Sequence, residues 1–382
     1  MLRPPPSLLS GVRAAVTEDV HFFGEPLRVT AAPFMEQDTE FLRCAHVDAW
    51  MCHYTSYRRG DVGRRLSADF ALLVNPLLSV SRQVPSQGLT LLEVTDILRR
   101  FSLPPVYYNV ESLPRPDLRV PWLALPVAPP PGTPVNPGYW DRRIIQLCCR
   151  YLNSGVPLIV FTKGHVFVLV GYVRDPTKGP SWITFIRHDD ETGPYQEVGN
   201  IFNDQAFWAS GAISHNYSPW EYIIVPLPEK VCMTGEFAES AGAFDLLELA
   251  NKWSSKHPAA AILADLAAKD RLRMHTYLTT ANLYKSQLER RGMDPDLIRA
   301  YRLARWPYRV WVAEAIDRDV RESGDKKCVL GEVVYDATST DHDSLMLSAH
   351  APGVAWVRTT EGEVFPLTCS TALYETGGYG SP

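Results

Sequence analysis

Apolar positions along this chain follow two periods, one helical and one alternating. From Cys44 the pattern Val47, Ala49, Trp50, Met51 and Tyr54 predicts a helix over 44–58, ended by charge and by Gly60. TLLEVTDILRRF (90–101) is amphipathic, with Leu91, Val94, Ile97, Leu98 and Phe101 on one face. Thr90 and Glu93 there have the spacing of a capping box. LSADFALLVN (66–75), with Ser67 as candidate cap, and 139–155, closed by Asn153 and Gly155, also read as helices. VHFFGEPLRVTAAPF (20–34) alternates as one or two short strands broken at Gly24, Glu25 and Pro26. Further strands are predicted at 106–110, 156–162, 165–174, 181–187 and 220–227, with turn signals between the later ones. Helices followed by an antiparallel sheet predict an α+β fold.

From about residue 235 a second α+β unit is expected. Helices at 237–253, 259–272, 281–291 and 295–304 precede strands at 308–317, 327–338, 344–350 and 353–358. Residues 113–138 hold nine prolines, which rules out a regular helix or a central strand and predicts a loop between two lobes. The division that follows is a leader (1–18), a first domain (19–230) and a C-terminal α+β domain (235–382) to which the sequence assigns no role.

A chain of 382 residues with 46% hydrophobic and 21% charged positions reads as a soluble globular protein with ample core. The formal net charge of −5 gives no basic field for nucleic acid. No apolar run approaches the ~20 residues that span a bilayer. The N-terminal apolar stretch is interrupted by prolines, Ser10, Gly11 and Arg13, unlike a signal peptide. The seven cysteines are odd in number and scattered, and Cys148 and Cys149 are adjacent. Reduced thiols in the cytoplasm are the expectation.

Candidate chemistry centres on PFMEQDTEFLRCAHVDAWM (33–51), where Gln37 precedes Cys44 by seven residues. A thiol opening a helix sits where backbone N–H groups favour the thiolate. Gln37, singled out only by its offset, can donate to an oxyanion beside that sulfur. His165 opens the apolar strand HVFVLVGYV, where an imidazole can take the thiol proton. Asp189 and Asp190 end the next strand, and alternation lets only one of them face His165. The blander readings are a buried thiol, a core histidine and a plain Asp-rich turn. His188 is expected to face away.

His46, Cys52 and His53 lack the paired spacing of structural zinc sites, so neither metal nor cofactor is expected. GDVGRR (60–65) reads as a loop, and ASGAISHNY (209–217) lacks a nucleophile elbow. Trp208, Tyr217, Trp220 and Tyr222 suit either a substrate cleft or a core.

Gln37, Cys44, His165 followed by VFVLVGY, and Asp189 with Gly193 four residues on together resemble the papain-like cysteine peptidase superfamily, closest to its bacterial C39-like branch. The resemblance covers about residues 20–228. Ala45 and His46 depart from it, since the C39 pattern usually has Gly after the nucleophile. It implies a papain-like two-lobed fold there, a helical lobe facing a sheet lobe, to which the C-terminal α+β unit read from the pattern is an extension. It also implies a thiol hydrolase cleaving a peptide or isopeptide bond of a protein or peptide substrate. Asp189 is then the third triad member, favoured over Asp190 by the D-x-x-x-G spacing. An acyltransferase or transglutaminase-like reaction, or an inactive papain-like binding protein, are the alternatives.

Overall fold

The computed structural model describes residues 3–37, 44–72, 89–110, 137–162, 164–174, 183–198, 220–253, 255–323, 325–340, 345–358 and 364–378. They form two compact units. Among these residues, the first draws on those up to 110 and on 137–229, the second on those from 230 onward. Both are α+β. The proline-dense stretch lies almost wholly outside the described residues, as do Trp208, Tyr217 and the 209–217 segment.

The first unit opens with a hairpin, β1 (Val16–Phe22) and β2 (Glu25–Ala31), in register from Val16↔Ala31 to Phe22↔Glu25. Its turn residues Phe23 and Gly24 both have positive φ, 50° and 87°. That is the two-residue geometry that matches strand twist. Helices α1 (Cys44–Arg58), α2 (Ser67–Leu72) and α3 (Leu91–Arg100) follow. The predicted capping box on α3 is present: Thr90 Oγ1 accepts from Glu93 N, and Thr90 N donates to Glu93 Oε2 at 2.7 Å. Ser67 is the first residue of α2 rather than its cap. Leu66 N, just before it, donates to Asp69 Oδ2 at 2.8 Å.

Then come β3 (Pro105–Asn109), α4 (Pro137–Asn153), β4 (Leu158–Thr162), β5 (His165–Arg174), β6 (Ile183–Asp189), β7 (Gly193–Val198) and β8 (Trp220–Pro226). The six strands form an antiparallel sheet of order β3-β8-β4-β5-β6-β7. Its edge strand β7 was not predicted, because Gly193-Pro194 reads as a turn. α1, α2 and α3 bury Val47, Met51, Phe70, Val94, Ile97 and Leu98 in one cluster with Val166, Val168 and Val170 of β5. A fully buried Leu or Ile of this kind contributes about 1.5–3 kcal/mol. That layer holds the start of α1 against the start of β5.

β5 departs from a regular ladder between Leu169 and Gly171. The segment preceding β1, predicted as an irregular leader, fills that break. Arg13 N and Ala14 N both donate to Val170 O at 2.9 Å, and Tyr172 N donates to Gly11 O at 2.9 Å. A Cβ on Gly171 would stand 2.2 Å from Gly11 O, so the close approach requires glycine there.

The second unit carries α5 (Gly235–Trp253), α6 (Ala261–Ala268), β9 (Leu272–Thr280), α7 (Ala281–Arg291), α8 (Pro295–Leu303), β10 (Arg309–Asp317), α9 (Arg318–Glu322), β11 (Lys327–Asp336), β12 (Met346–Ala351), β13 (Val354–Arg358), β14 (Val364–Thr368) and β15 (Tyr374–Glu375). Its antiparallel sheet runs β14-β13-β12-β11-β10-β9, with β15 paired to β11. β9 begins at the last residue of the predicted 259–272 helix, which stops at Ala268. β14 and β15 were not predicted either.

Candidate active site

Three elements of the first unit deliver the site. Cys44 is the first residue of α1, His165 the first of β5, and Asp189 the last of β6. Cys44 Sγ lies 3.9 Å from His165 Nδ1. The other ring nitrogen, Nε2, lies 3.2 Å from Asp189 Oδ2. Gln37 Oε1 is 3.8 Å from Sγ. The four residues singled out in the sequence therefore meet at one place. As placed, Gln37 turns its carbonyl to the sulfur, whereas an oxyanion needs the NH2 arm of the same amide.

Asp189 is fully buried and held from several sides. Glu191 N and Thr192 N donate to its Oδ1 at 3.0 and 3.2 Å, and Arg187 Nη2 lies 3.3 Å from Oδ2. Burial opposes its ionisation, but the bond to His165, the Glu191 amide and Arg187 together bring its carboxyl down to about 2. Burial likewise opposes protonation of His165, and the bond to Asp189 outweighs it, so the imidazole sits above its ordinary range.

His188, between Arg187 and Asp189, points the other way, as strand alternation requires. Its Nδ1 lies 2.9 Å from Pro33 O, and its ring meets Tyr195 edge-on at 4.6 Å. Burial brings it down to about 4, so it is a neutral core residue.

The electrostatics at the sulfur differ from the expected standing thiolate. Burial, then the carboxylates of Asp190 and Asp48, push the Cys44 thiol well above its ordinary value. The opening of a helix favours the anion only modestly, by about 0.3–1 kcal/mol when exposed. Two nearby carboxylates and a part-buried position outweigh it.

Asp48 lies one helical turn after Cys44, fully buried, with neither oxygen hydrogen-bonded. Burial raises its carboxyl far above the ordinary range. Asp190 is 5% exposed, and neither of its oxygens is hydrogen-bonded. Burial raises it as well. Sequence reasoning passed over Asp48. The sequence carries no signal for it, because α1 mixes polar and apolar residues and only the structure shows 45–49 and 51–53 buried around every side of the helix.

His46, Cys52 and His53 do not converge. Cys52 Sγ faces Pro157 O at 3.9 Å, and the His53 ring packs against Phe70 and Phe101. Among the described residues, the group able to share a metal ion is Cys44, His165 and Asp190, whose donor atoms all lie within 4.8 Å of one another. Trp220 is core, edge-on to Phe167, and residues 60–65 form a loop. All seven cysteines are unpaired, and no described helix is long and apolar enough to cross a membrane.

The second unit contains a buried polar set that the sequence reading did not single out. Arg291 Nη2 contacts Glu314 Oε1 at 2.5 Å and Glu332 Oε2 at 2.9 Å. His275 Nδ1 is 2.9 Å from Glu314 Oε2, and Tyr284 donates to Glu332. Burial raises both acids, and Arg291 with His275 brings Glu314 back below its ordinary value. The available signal was a charge in the middle of an apolar strand, Glu314 in VWVAEAID and Glu332 in VLGEVVY.

No protein-family model matches this chain, and no curated protein matches it in sequence.

Proposed function

We propose that this chain is a papain-like thiol hydrolase that cleaves a peptide or isopeptide bond at Cys44. The observation that carries the reading is the relay Sγ–Nδ1 and Nε2–Oδ2, at 3.9 and 3.2 Å. A base in reach of a nucleophile, oriented by a buried carboxylate, is the arrangement acyl transfer needs.

Burial and the Asp190 and Asp48 carboxylates push the Cys44 thiol up, and on that ground His165 acts as general base during attack instead of as a standing ion-pair partner. Nδ1 takes the thiol proton as Sγ bonds to the carbonyl carbon. Asp189 holds the ring tautomer and steadies the imidazolium. The backbone N–H of Cys44 and the amide of Gln37, turned to present Nε2, hydrogen-bond the oxyanion. Collapse expels the amine, which takes the proton back from His165. Water then releases the acyl group from the sulfur. The fold this implies is the two-lobed papain-like one, with the C-terminal unit choosing the substrate, in a reducing cytoplasm.

One observation favours a second reading, a binding protein without turnover: burial and the carboxylates that face Cys44 disfavour its thiolate. The experiment is labelling with a peptidyl vinyl sulfone, followed by peptide cleavage read by mass spectrometry. Under the hydrolase reading the probe marks Cys44, and His165→Ala slows marking by about 10²–10⁴-fold. Cys44→Ala leaves no cleavage and an unchanged thermal unfolding curve. Cleavage persisting in Cys44→Ala sinks the hydrolase. Labelling indifferent to His165 favours the binding protein.

A further inference from the structure

We propose that Cys44, His165 and Asp190 form a zinc site, and that zinc bound there silences the thiol. The metal site stands on geometry alone, whereas the silencing rests on the hydrolase reading above.

Sulfur, imidazole nitrogen and carboxylate oxygen are the donors zinc takes, at about 2.3, 2.0–2.1 and 2.0–2.2 Å. In a tetrahedral site those bond lengths set sulfur and nitrogen about 3.5 Å apart. Sγ and Nδ1 are 3.9 Å apart, and Asp190 supplies an oxygen within 4.8 Å of both. Closing the sulfur–nitrogen pair by about 0.4 Å, and drawing the Asp190 oxygen in by up to about 1.3 Å, completes three ligands and leaves a fourth position open. Gln37 Oε1 lies 3.8 Å from Sγ.

Two further observations point to a cation. The first is Asp190 itself, buried, with neither oxygen hydrogen-bonded. Buried polar groups are nearly always well partnered, and this carboxylate has the Cys44 thiol beside it but neither oxygen in good hydrogen-bond geometry, which leaves both free to take a cation. The second is the outer shell. Asp189 takes Nε2 of His165, which leaves Nδ1 as the lone-pair nitrogen facing Cys44 and Asp190. Carboxylate–histidine–metal is the arrangement that orients zinc-bound imidazoles. Asp189 is itself held by Arg187 and two backbone amides. The thiolate and imidazole donors favour zinc over magnesium or calcium. On binding, the Sγ–H bond breaks, its proton leaves to solvent, and the sulfur lone pair forms the bond to zinc. The sulfur is then unavailable to a carbonyl carbon, and Nδ1 is unavailable as a base.

The test uses the full chain after chelator treatment, with zinc and its optical surrogate cobalt(II) as probes. One equivalent of cobalt should produce thiolate-to-metal absorption that zinc displaces. Cys44→Ser should abolish that absorption. Asp190→Asn should weaken zinc binding by calorimetry at least about 10- to 100-fold. Cys232→Ser, which removes an exposed thiol, should change neither. Zinc should also protect Cys44 from iodoacetamide, and chelator should reverse the protection. His165→Ala serves in place of Asp190→Asn should that variant unfold. Absence of the absorption in the wild-type chain, its persistence in Cys44→Ser, or unchanged affinity in both ligand variants overturns the site. Zinc binding with Cys44 left open to alkylation overturns the silencing. Since none of these readouts needs turnover, a protein that binds zinc and cleaves nothing refutes the hydrolase alone.

Discussion

Asp189→Asn exchanges one carboxylate oxygen for an NH2 group at nearly constant size. The wild-type carboxyl is fully buried and sits at about 2 against an ordinary 3.8. Each tenfold in that ratio is worth about 1.4 kcal/mol, so the folded state prefers the charged form by about 2.5 kcal/mol. A carboxyl depressed by folding adds stability above its unfolded value, and that stability drains away as pH falls through the folded one. Between pH 5 and pH 2 the wild-type chain should therefore lose roughly 2–3 kcal/mol that the variant never had. At pH 7 the variant should be less stable by the same order, and the two curves should close near pH 2. Urea unfolding across this range, with a chelator present to keep metal out, measures both slopes. Asp190→Asn is the companion variant: burial raises that carboxyl, so removing it should alter stability in the opposite sense. Parallel wild-type and Asp189→Asn curves from pH 2 to 7 would refute the assignment of Asp189 as the buried anion behind His165. So would an acid limb abolished by Asp190→Asn instead. Peptide cleavage should fall by about 10⁴ in Asp189→Asn, the scale of losing imidazole orientation in a triad.

Asp48→Asn should stabilise the protein at pH 7 by about 1.4 kcal/mol for each tenfold by which burial disfavours the charged carboxyl, since the amide removes the charge and keeps the shape. The Asp48 carboxyl is raised by burial, so its penalty is absent below the unfolded value and grows as pH rises. The gain should vanish by pH 3 in the same urea titration, and an equal gain at both pH values would refute the charge argument. Arg291→Met should destabilise the second unit by about 3–5 kcal/mol, because it removes the cation that Glu314 and Glu332 share and leaves Glu314 with His275 alone as its basic partner. Guanidinium unfolding followed by tryptophan fluorescence checks this, and adding Glu332→Gln to the same chain should recover part of the loss.

The helices were legible where one apolar stripe met a capping signal. Thr90 and Glu93 gave α3 to within a residue, and the approach to Cys44 gave α1. The strands were legible where apolar runs ended at glycine, as at Gly164 before β5. β9 was missed because the Ala-rich run before it carries no glycine or proline to mark its end at Ala268. β7 was missed because an edge strand opening with Gly-Pro looks like a turn until its partner β6 is known. Cys44, His165 and Asp189 could be named together because each lies at or just beyond the end of an element the pattern predicts, and Gln37 only by its offset from Cys44. What could not be read was the charge each would feel. Asp190 in an Asp-rich turn and Asp48 in a helix both look solvated, and only tertiary packing makes them buried neighbours of a thiol.

The segment before β1 deserves a different name from leader. A shed inhibitory cover must lift away and leave the body beneath it whole. Residues 11–14 fail that condition, since peeling them off would strand the Val170 carbonyl and the Tyr172 amide in the strand that His165 begins. They serve as a splint: clipping upstream of Gly11 is compatible with an intact imidazole anchor, and clipping downstream of Ala14 is not.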